Sequence, residues 1–232
     1  MSLRGQGVLA IWNDIACGTE REFMNWHVHE HIPERVALPG FLRGRRYRAI
    51  AACPKFFNFY ETAEVTDLCS PVYRAELDRP SPRTRDVVRS FSNTTRVICD
   101  VSLTIGRGEG AFVENLRLET RLAAEAFRQI LAETVLRPAS QQAGIVGVHL
   151  LRGRPEIETA PTAEASLRQC PDGTAAWVVL LEAVDVGVIE ALHDGPLHES
   201  RWHAAGCEGE AKRGLYALQF SLEKADLDGT AG

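Results

Sequence analysis

Gly106-Arg107-Gly108-Glu109-Gly110 divides the chain into two halves of similar order. Three glycines in five residues make a hinge or a tight turn, because glycine reaches backbone conformations closed to other residues. The spacing is only superficially that of a phosphate-binding loop: no Gly-Lys-Ser/Thr follows, and no helix pattern adjoins it. Just upstream, 95–105 alternates Val97, Cys99, Val101 and Leu103 against Arg96, Ile98, Asp100 and Ser102, which predicts a strand. Just downstream, 111–118 predicts another.

Further upstream lie short helical patterns at 83–91 and 72–77, the latter opened by Ser70-Pro71. Strands are predicted at 56–65 and 41–50, a helix from a Thr19 cap to about His31, and a buried strand at 7–13. Pro33 lacks an N–H, so a kink or break is expected at Ile32. In 56–65, Phe57, Phe59 and Glu61 share one face, and Phe56, Asn58 and Tyr60 the other. Further downstream, an apolar stripe of Ala123, Ala126, Phe127, Ile130 and Leu131 marks a helix over 119–136. Strands follow at 145–151 and 175–183, separated by a polar loop, 153–172. Short helices are expected at 186–193 and 196–205, then a strand at 214–222. Both halves read β-α-β-β-α-β. Each such unit leaves one sheet face partly apolar, and packing the two bare faces together covers both. The expected organisation is a first unit, 1–106, a second, 107–224, and a flexible tail, 225–232.

The 232 residues suit one large domain or two of about 100 to 120 residues. Hydrophobic residues at 45% and charged residues at 25% are enough for a packed core. A net charge of −5 argues against a broad nucleic-acid surface. One cluster, Arg43, Arg45, Arg46 and Arg48, runs against that balance, either as a solvated strand end or as an anion or carboxylate site. No run of about 18 apolar residues is present and 1–7 has no apolar signal core, so no membrane partner and a cytoplasmic location are expected. The six cysteines are irregularly spaced without a Cys-x-x-Cys pair, which predicts reduced, mostly buried thiols.

The densest chemistry is Trp26-His27-Val28-His29-Glu30-His31-Ile32-Pro33-Glu34-Arg35, where three of the seven histidines fall within five residues. At about 100° per residue, His27, Glu30, His31 and Glu34 share one helical face, with Phe23 near it. That face permits three readings. One is a rim of hydrogen-bonded or solvated side chains. Another is proton transfer by a histidine oriented by a carboxylate. The third is a metal held by His27 and His31 with Glu30 or Glu34. The zinc-protease string is absent, since Val28 follows His27. His193, His198 and His203 read as surface residues, and His149 as a satisfied residue at the core edge.

Trp26…Glu30-His31-Ile32-Pro33-Glu34-Arg35…Leu38-Pro39-Gly40-Phe41…Arg45-Arg46-Tyr47, followed by Phe59-Tyr60-Glu61, resembles the first half of the dimeric α+β barrel superfamily, nearest its EthD-like members. Related groups are stress-responsive A/B barrel proteins, antibiotic-biosynthesis monooxygenases and muconolactone isomerases. The match spans about 7–105. The second half keeps the element order without the motif. The resemblance implies an α+β chain of two ferredoxin-like βαββαβ repeats, packed sheet to sheet as an intrachain barrel, with a pocket near the first helix. It implies no single reaction, because such folds host oxygenases, isomerases and haem enzymes. His31 and Glu34 match the motif best; His27 and His29 are additions of this chain.

The expected function is therefore a cofactor-independent oxygenase, isomerase or lyase on a small aromatic or hydrophobic molecule, with neither cofactor nor metal. The alternative is a non-catalytic binding or scaffold protein of the same fold. In the enzyme reading His31, Glu34 and His27 are catalytic, with Glu34 orienting His31. Phe23, Trp26, Tyr47, Phe57 and Phe59 line the substrate pocket, and Arg45 anchors a carboxylate or phenolate. Internal pairing of the halves permits a monomeric pseudo-dimer or a homodimer.

Overall fold

In a computed structural model, residues 3–157, 161–168 and 171–228 are described. The strands are β1 (Gly7–Ile15), β2 (Phe41–Ala51), β3 (Phe56–Thr62), β4 (Phe91–Gly106), β5 (Phe112–Glu119), β6 (Ile145–Gly153), β7 (Trp177–Ala183) and β8 (Glu208–Glu223). They close a barrel in the order β1-β3-β2-β8-β5-β7-β6-β4, every neighbouring pair antiparallel. The pairing inside β4-β1-β3-β2 recurs inside β8-β5-β7-β6. The ladders β2–β8 and β4–β6 join the two sets, so neither sheet keeps a free edge.

Between the strands run α1 (Glu20–Trp26), a π-helical turn (His27–His31), α2 (Ile32–Ala37), α3 (Pro71–Asp78) and α4 (Pro82–Val88). The second half has α5 (Ala124–Leu131), another π-helical turn (Ala132–Leu136), α6 (Arg137–Ser140), α7 (Val186–Leu192), α8 (Glu199–Ala204) and α9 (Lys224–Asp228). Thr19 stands at the N-cap of α1 as expected. Its hydroxyl turns back to the Ala16 carbonyl and makes no cap bond. The chain ends its described part in α9, and 229–232 of the expected tail lie outside the described residues. Among the described residues no helix is long and apolar enough to cross a membrane.

Strand alternation separates two kinds of core. The barrel lumen takes side chains from all eight strands: Val8, Tyr47, Phe57, Val97, Val113, Leu151, Val178 and Tyr216 belong to one buried cluster. Phe57 is its hub, stacked on Trp12 at 4.9 Å between ring centroids and on Tyr47 at 5.5 Å. Outside the barrel, helices cover the opposite faces. Ile32 and Val36 of α2 pack with Leu9, Tyr60 and Tyr73. Phe23 and Trp26 pack with Phe56 and Val88. In β3 and β7 all seven residues are buried, because lumen and helix layer each claim one face.

The arginine cluster is not a solvated strand end. Arg43, Arg45 and Arg46 are buried, and only Arg48 is exposed. Arg45 crosses the lumen and holds a carboxylate from each half, Glu61 at 3.1 Å and Glu182 at 3.1 Å. Its guanidinium lies 4.9 Å from the Phe59 ring centroid. Arg43 binds Glu61 at 2.7 Å and also pairs with Glu109 of the glycine-rich junction. Burial pushes the Glu182 carboxyl up, but Arg45, His149 and the Gly110 N–H outweigh it and hold the pKa at about 2. His149 is thus a lumen residue, 3.7 Å from Glu182. Of the five described cysteines, Cys17, Cys53 and Cys69 are exposed and only Cys99 and Cys207 buried, so the thiols are less buried than expected. Cys170 lies outside the described residues.

Candidate functional site

Pro33 shapes the site from within the first helix. With no N–H and a ring that crowds the carbonyl four residues back, it cannot continue a regular ladder. The preceding turn widens: the Ile32 N–H bonds the His27 carbonyl, five residues back. Instead of a break at Ile32, the helix passes through a π-turn and continues. The wider turn changes which side chains face inward. His27 and His31 both point to the sheet and stack at 5.6 Å, with 24° between their planes. Glu30 turns outward to Ser81 and Arg83, and Glu34 is exposed. The face of His27, Glu30, His31 and Glu34 expected from a regular helix is therefore not formed. No hydrogen bond joins Glu34 to either histidine among the described residues. The metal set that needed Glu30 or Glu34 does not assemble; among the described residues no three His, Cys, Asp or Glu side chains converge as a metal site.

His31 stacks on Trp26, centroids 4.2 Å apart, and its Nδ1 is buried without a hydrogen-bond partner. His27 is sandwiched between His31 and Phe23, whose centroid lies 5.1 Å away. Its Nε2 meets the Tyr60 hydroxyl at 3.1 Å, and its Nδ1 is also unpartnered. Trp26 is fixed by donating from Nε1 to Thr84 Oγ1 at 3.1 Å. Burial pushes both imidazoles well below the ordinary histidine range. The charge of Arg46 reinforces this at His27, and Arg35 and His27 do so at His31. Both rings are neutral at pH 7, each with one N–H and one lone pair. Burial also raises the Tyr60 hydroxyl well above its usual range, so it stays a phenol.

Trp26, His27, His31 and Tyr60 wall a small, partly open cavity of about 30 Å³. Arg35, Asn58, Tyr73 and Arg96 complete it on the first-half side, and Glu164 and Arg168 reach in from the loop between β6 and β7. The second half therefore does more than close the barrel: it caps the histidine site.

Of the residues singled out in the sequence, Phe23, Trp26, His27 and His31 come together here. Arg45, Tyr47, Phe57 and Phe59 do not join them. They face the lumen, and the sheet itself stands between the two groups. Alternation along β3 carried that signal, since Phe57 and Phe59 stand opposite to Tyr60. The same alternation marks Tyr60 and Asn58 as helix-side residues. Nothing in the loop sequence announces Glu164 or Arg168. In the second half, Pro138 likewise follows a π-turn, with the Arg137 N–H on the Ala132 carbonyl. Its inward positions, Ala132 and Leu136, carry no titratable group. His198 and His203 are exposed as expected, whereas His193 is half-buried and bonds the buried Glu114 at 2.9 Å. A larger, more open cleft of about 700 Å³ lies where β4 meets β6, lined by Arg96, Arg152, Leu122 and Trp177 among others; of these only Arg96 also borders the histidine cavity.

No family model matches the chain, and no curated protein matches it. Solved structures do. An anthrone oxidase-like protein superposes with a TM-score of 0.65 at 14% identity, covering 97% of this chain and 96% of that one. A "Putative monooxygenase" of Fusobacterium nucleatum gives 0.59 at 10% identity, with 96% of each chain covered. A "Putative Chlorite dismutase" gives 0.58 at 14% identity, covering 97% of this chain and 98% of that one. At such identities the likeness establishes the fold: this is an α+β barrel protein, built as monooxygenase-like and chlorite dismutase-like proteins are.

Proposed function

We propose that the chain is an enzyme that removes a proton from a small aromatic or hydrophobic molecule at the His27–His31 site, without a cofactor. The observation that carries this reading is His31. It is a neutral imidazole with an unpartnered ring nitrogen, stacked on Trp26 in the wall of a small cavity beside Tyr60 and arginines. Such a ring accepts a proton from an acidic C–H or O–H, and Arg35 and Arg96 face the anion left behind. The fate of that anion separates the three reaction classes. Addition to O₂ makes an oxygenase, return of the proton at another atom an isomerase, and bond cleavage a lyase. The names borne by two fold neighbours, anthrone oxidase-like and monooxygenase, favour the first. His27 positions Tyr60 and supports the His31 ring; Trp26 supplies an aromatic wall, and Phe23 backs His27. Glu34 has no part, being exposed, and Arg45, Tyr47, Phe57 and Phe59 serve the barrel. The same reading takes 1–106 and 107–224 as two ferredoxin-like repeats. It is supported by the recurrent pairing pattern and by the prolines after both π-turns. The Trp26-to-Arg35 stretch supports an EthD-like origin for the first repeat.

The competing reading is a non-catalytic binder of the same fold, favoured by the small size of the cavity. Oxygen uptake with anthrone, whose methylene is acidic, tests both. The His31→Ala variant, folded by its melting temperature, is expected to lose a factor of about 10² or more in rate. An unchanged rate would remove His31 from the chemistry. Wild-type uptake equal to the protein-free background would leave the binder.

A further inference from the structure

The histidine cavity is lined by three arginines, Arg35, Arg96 and Arg168, and by a single carboxylate, Glu164. Arg168 is already held fork to fork by Asp172, at 2.8 and 2.7 Å, and Arg96 donates to the Tyr73 hydroxyl at 3.3 Å. Arg35 is different. It is 4% exposed, next to His31 in the wall, and binds Glu164 at 2.7 Å. Glu164 is 129 positions away in sequence. Its loop reaches Arg35 across the end of α3, where the Glu164 N–H bonds the Leu77 carbonyl at 2.9 Å and the Ala163 N–H bonds Asp78 Oδ1 at 3.0 Å.

Space sharpens the point. A cavity of about 30 Å³ holds on the order of two waters, so an aromatic ring enters only if something leaves. Withdrawing Glu164 opens room beside His31 but strands the buried Arg35 charge. A neutral ligand cannot make good that loss; a ligand with its own carboxylate can, through the same charge-assisted hydrogen bonds. The Ala163 anchor to Asp78 is exposed, where water replaces it at little cost.

Building on the proton-transfer reading of this site, we propose that its ligand is an aromatic carboxylate, and that Glu164 occupies the place of the ligand's carboxylate on Arg35 until the ligand displaces it. Glu164 then acts as a built-in competitor that admits acids and turns away neutral analogues of the same shape.

Calorimetric titration of the full chain with 2-naphthoate and with its uncharged analogue 2-naphthamide tests this. The wild type is expected to bind the acid about tenfold or more tightly than the amide. Glu164→Gln removes the competing charge and should tighten the acid several-fold and the amide less; Glu164→Ala, which also opens the space, should tighten both and keep the acid the tighter. Arg35→Gln should erase the preference, and Arg35→Lys should keep part of it. Equal binding of acid and amide by the wild type overturns the carboxylate inference while leaving an aromatic site intact. Failure of Glu164→Gln to tighten the acid overturns the displacement. If neither compound binds the wild type or Glu164→Gln, the inference falls together with the aromatic-substrate reading on which it rests.

Discussion

Burying an imidazole between Trp26, His27 and the sheet has a thermodynamic consequence at His31 that needs no ligand to observe. In the unfolded chain His27 and His31 protonate near pH 6.5. In the folded protein burial, with the neighbouring cations, delays protonation to well below that value. Below about pH 6.5 the unfolded state therefore binds more protons, and stability falls with pH by about 1.4 kcal/mol per unit for each histidine. Stability is fully present above pH 6.5 and is lost as pH drops toward the lowered folded pKa. Urea unfolding between pH 7.5 and 5.5 should show this decline, and His31→Gln should remove about one proton's share of the slope. An identical slope in the variant would mean that His31 titrates as a solvated residue.

The first helix and β2 meet so closely that one strand position must lack a side chain. A Cβ on Gly44 would stand 2.9 Å from Ile32 Cγ2 and 3.1 Å from the Tyr60 ring. Gly44 pairs with Tyr60 across the β2–β3 ladder, so any shift there is felt at the His27–Tyr60 hydrogen bond. Gly44→Ala is expected to destabilise the protein by about 1–3 kcal/mol, the cost of overpacking. It should also weaken whatever binds beside His31. Equilibrium denaturation checks the first effect and ligand titration the second; wild-type values in both would show that the helix yields freely. The same closeness explains why the π-turn matters, since a helix tied this tightly to the sheet has its inward residues set by its turn geometry.

Closure of the barrel rests on more than hydrogen-bonded seams. Arg45 spans the lumen between Glu61 of one half and Glu182 of the other, all three buried. Arg45→Met leaves Glu61 with Arg43 but strands the Glu182 carboxylate in a dry interior, and should cost about 3–5 kcal/mol. Adding Glu182→Gln to that variant should restore part of the loss, because the stranded charge is then gone. Chemical denaturation of the single and double variants measures both. A loss below about 1 kcal/mol would mean that water enters the lumen and the bridge is not the strut described.

Alternation along 56–65 and 95–105, the helical stripe in 119–136 and the glycine-rich junction at 106–110 were among the patterns that predict eight strands in two similar orders. Those patterns report local burial, which neighbouring residues determine between themselves. The histidine pair was legible too, as an unusual density of titratable groups. Its surroundings were not. Which sheet face meets the first helix put Tyr60 in the site and sent Arg45 and Phe57 to the lumen, and only barrel closure decides that. The π-turn altered the helical phase by its extra residue, bringing His27 and His31 inward and leaving Glu34 outside. Glu164 joins Arg35 across 129 residues. A contact of that span leaves no periodic trace in the chain: it exists only once the two halves have closed on each other.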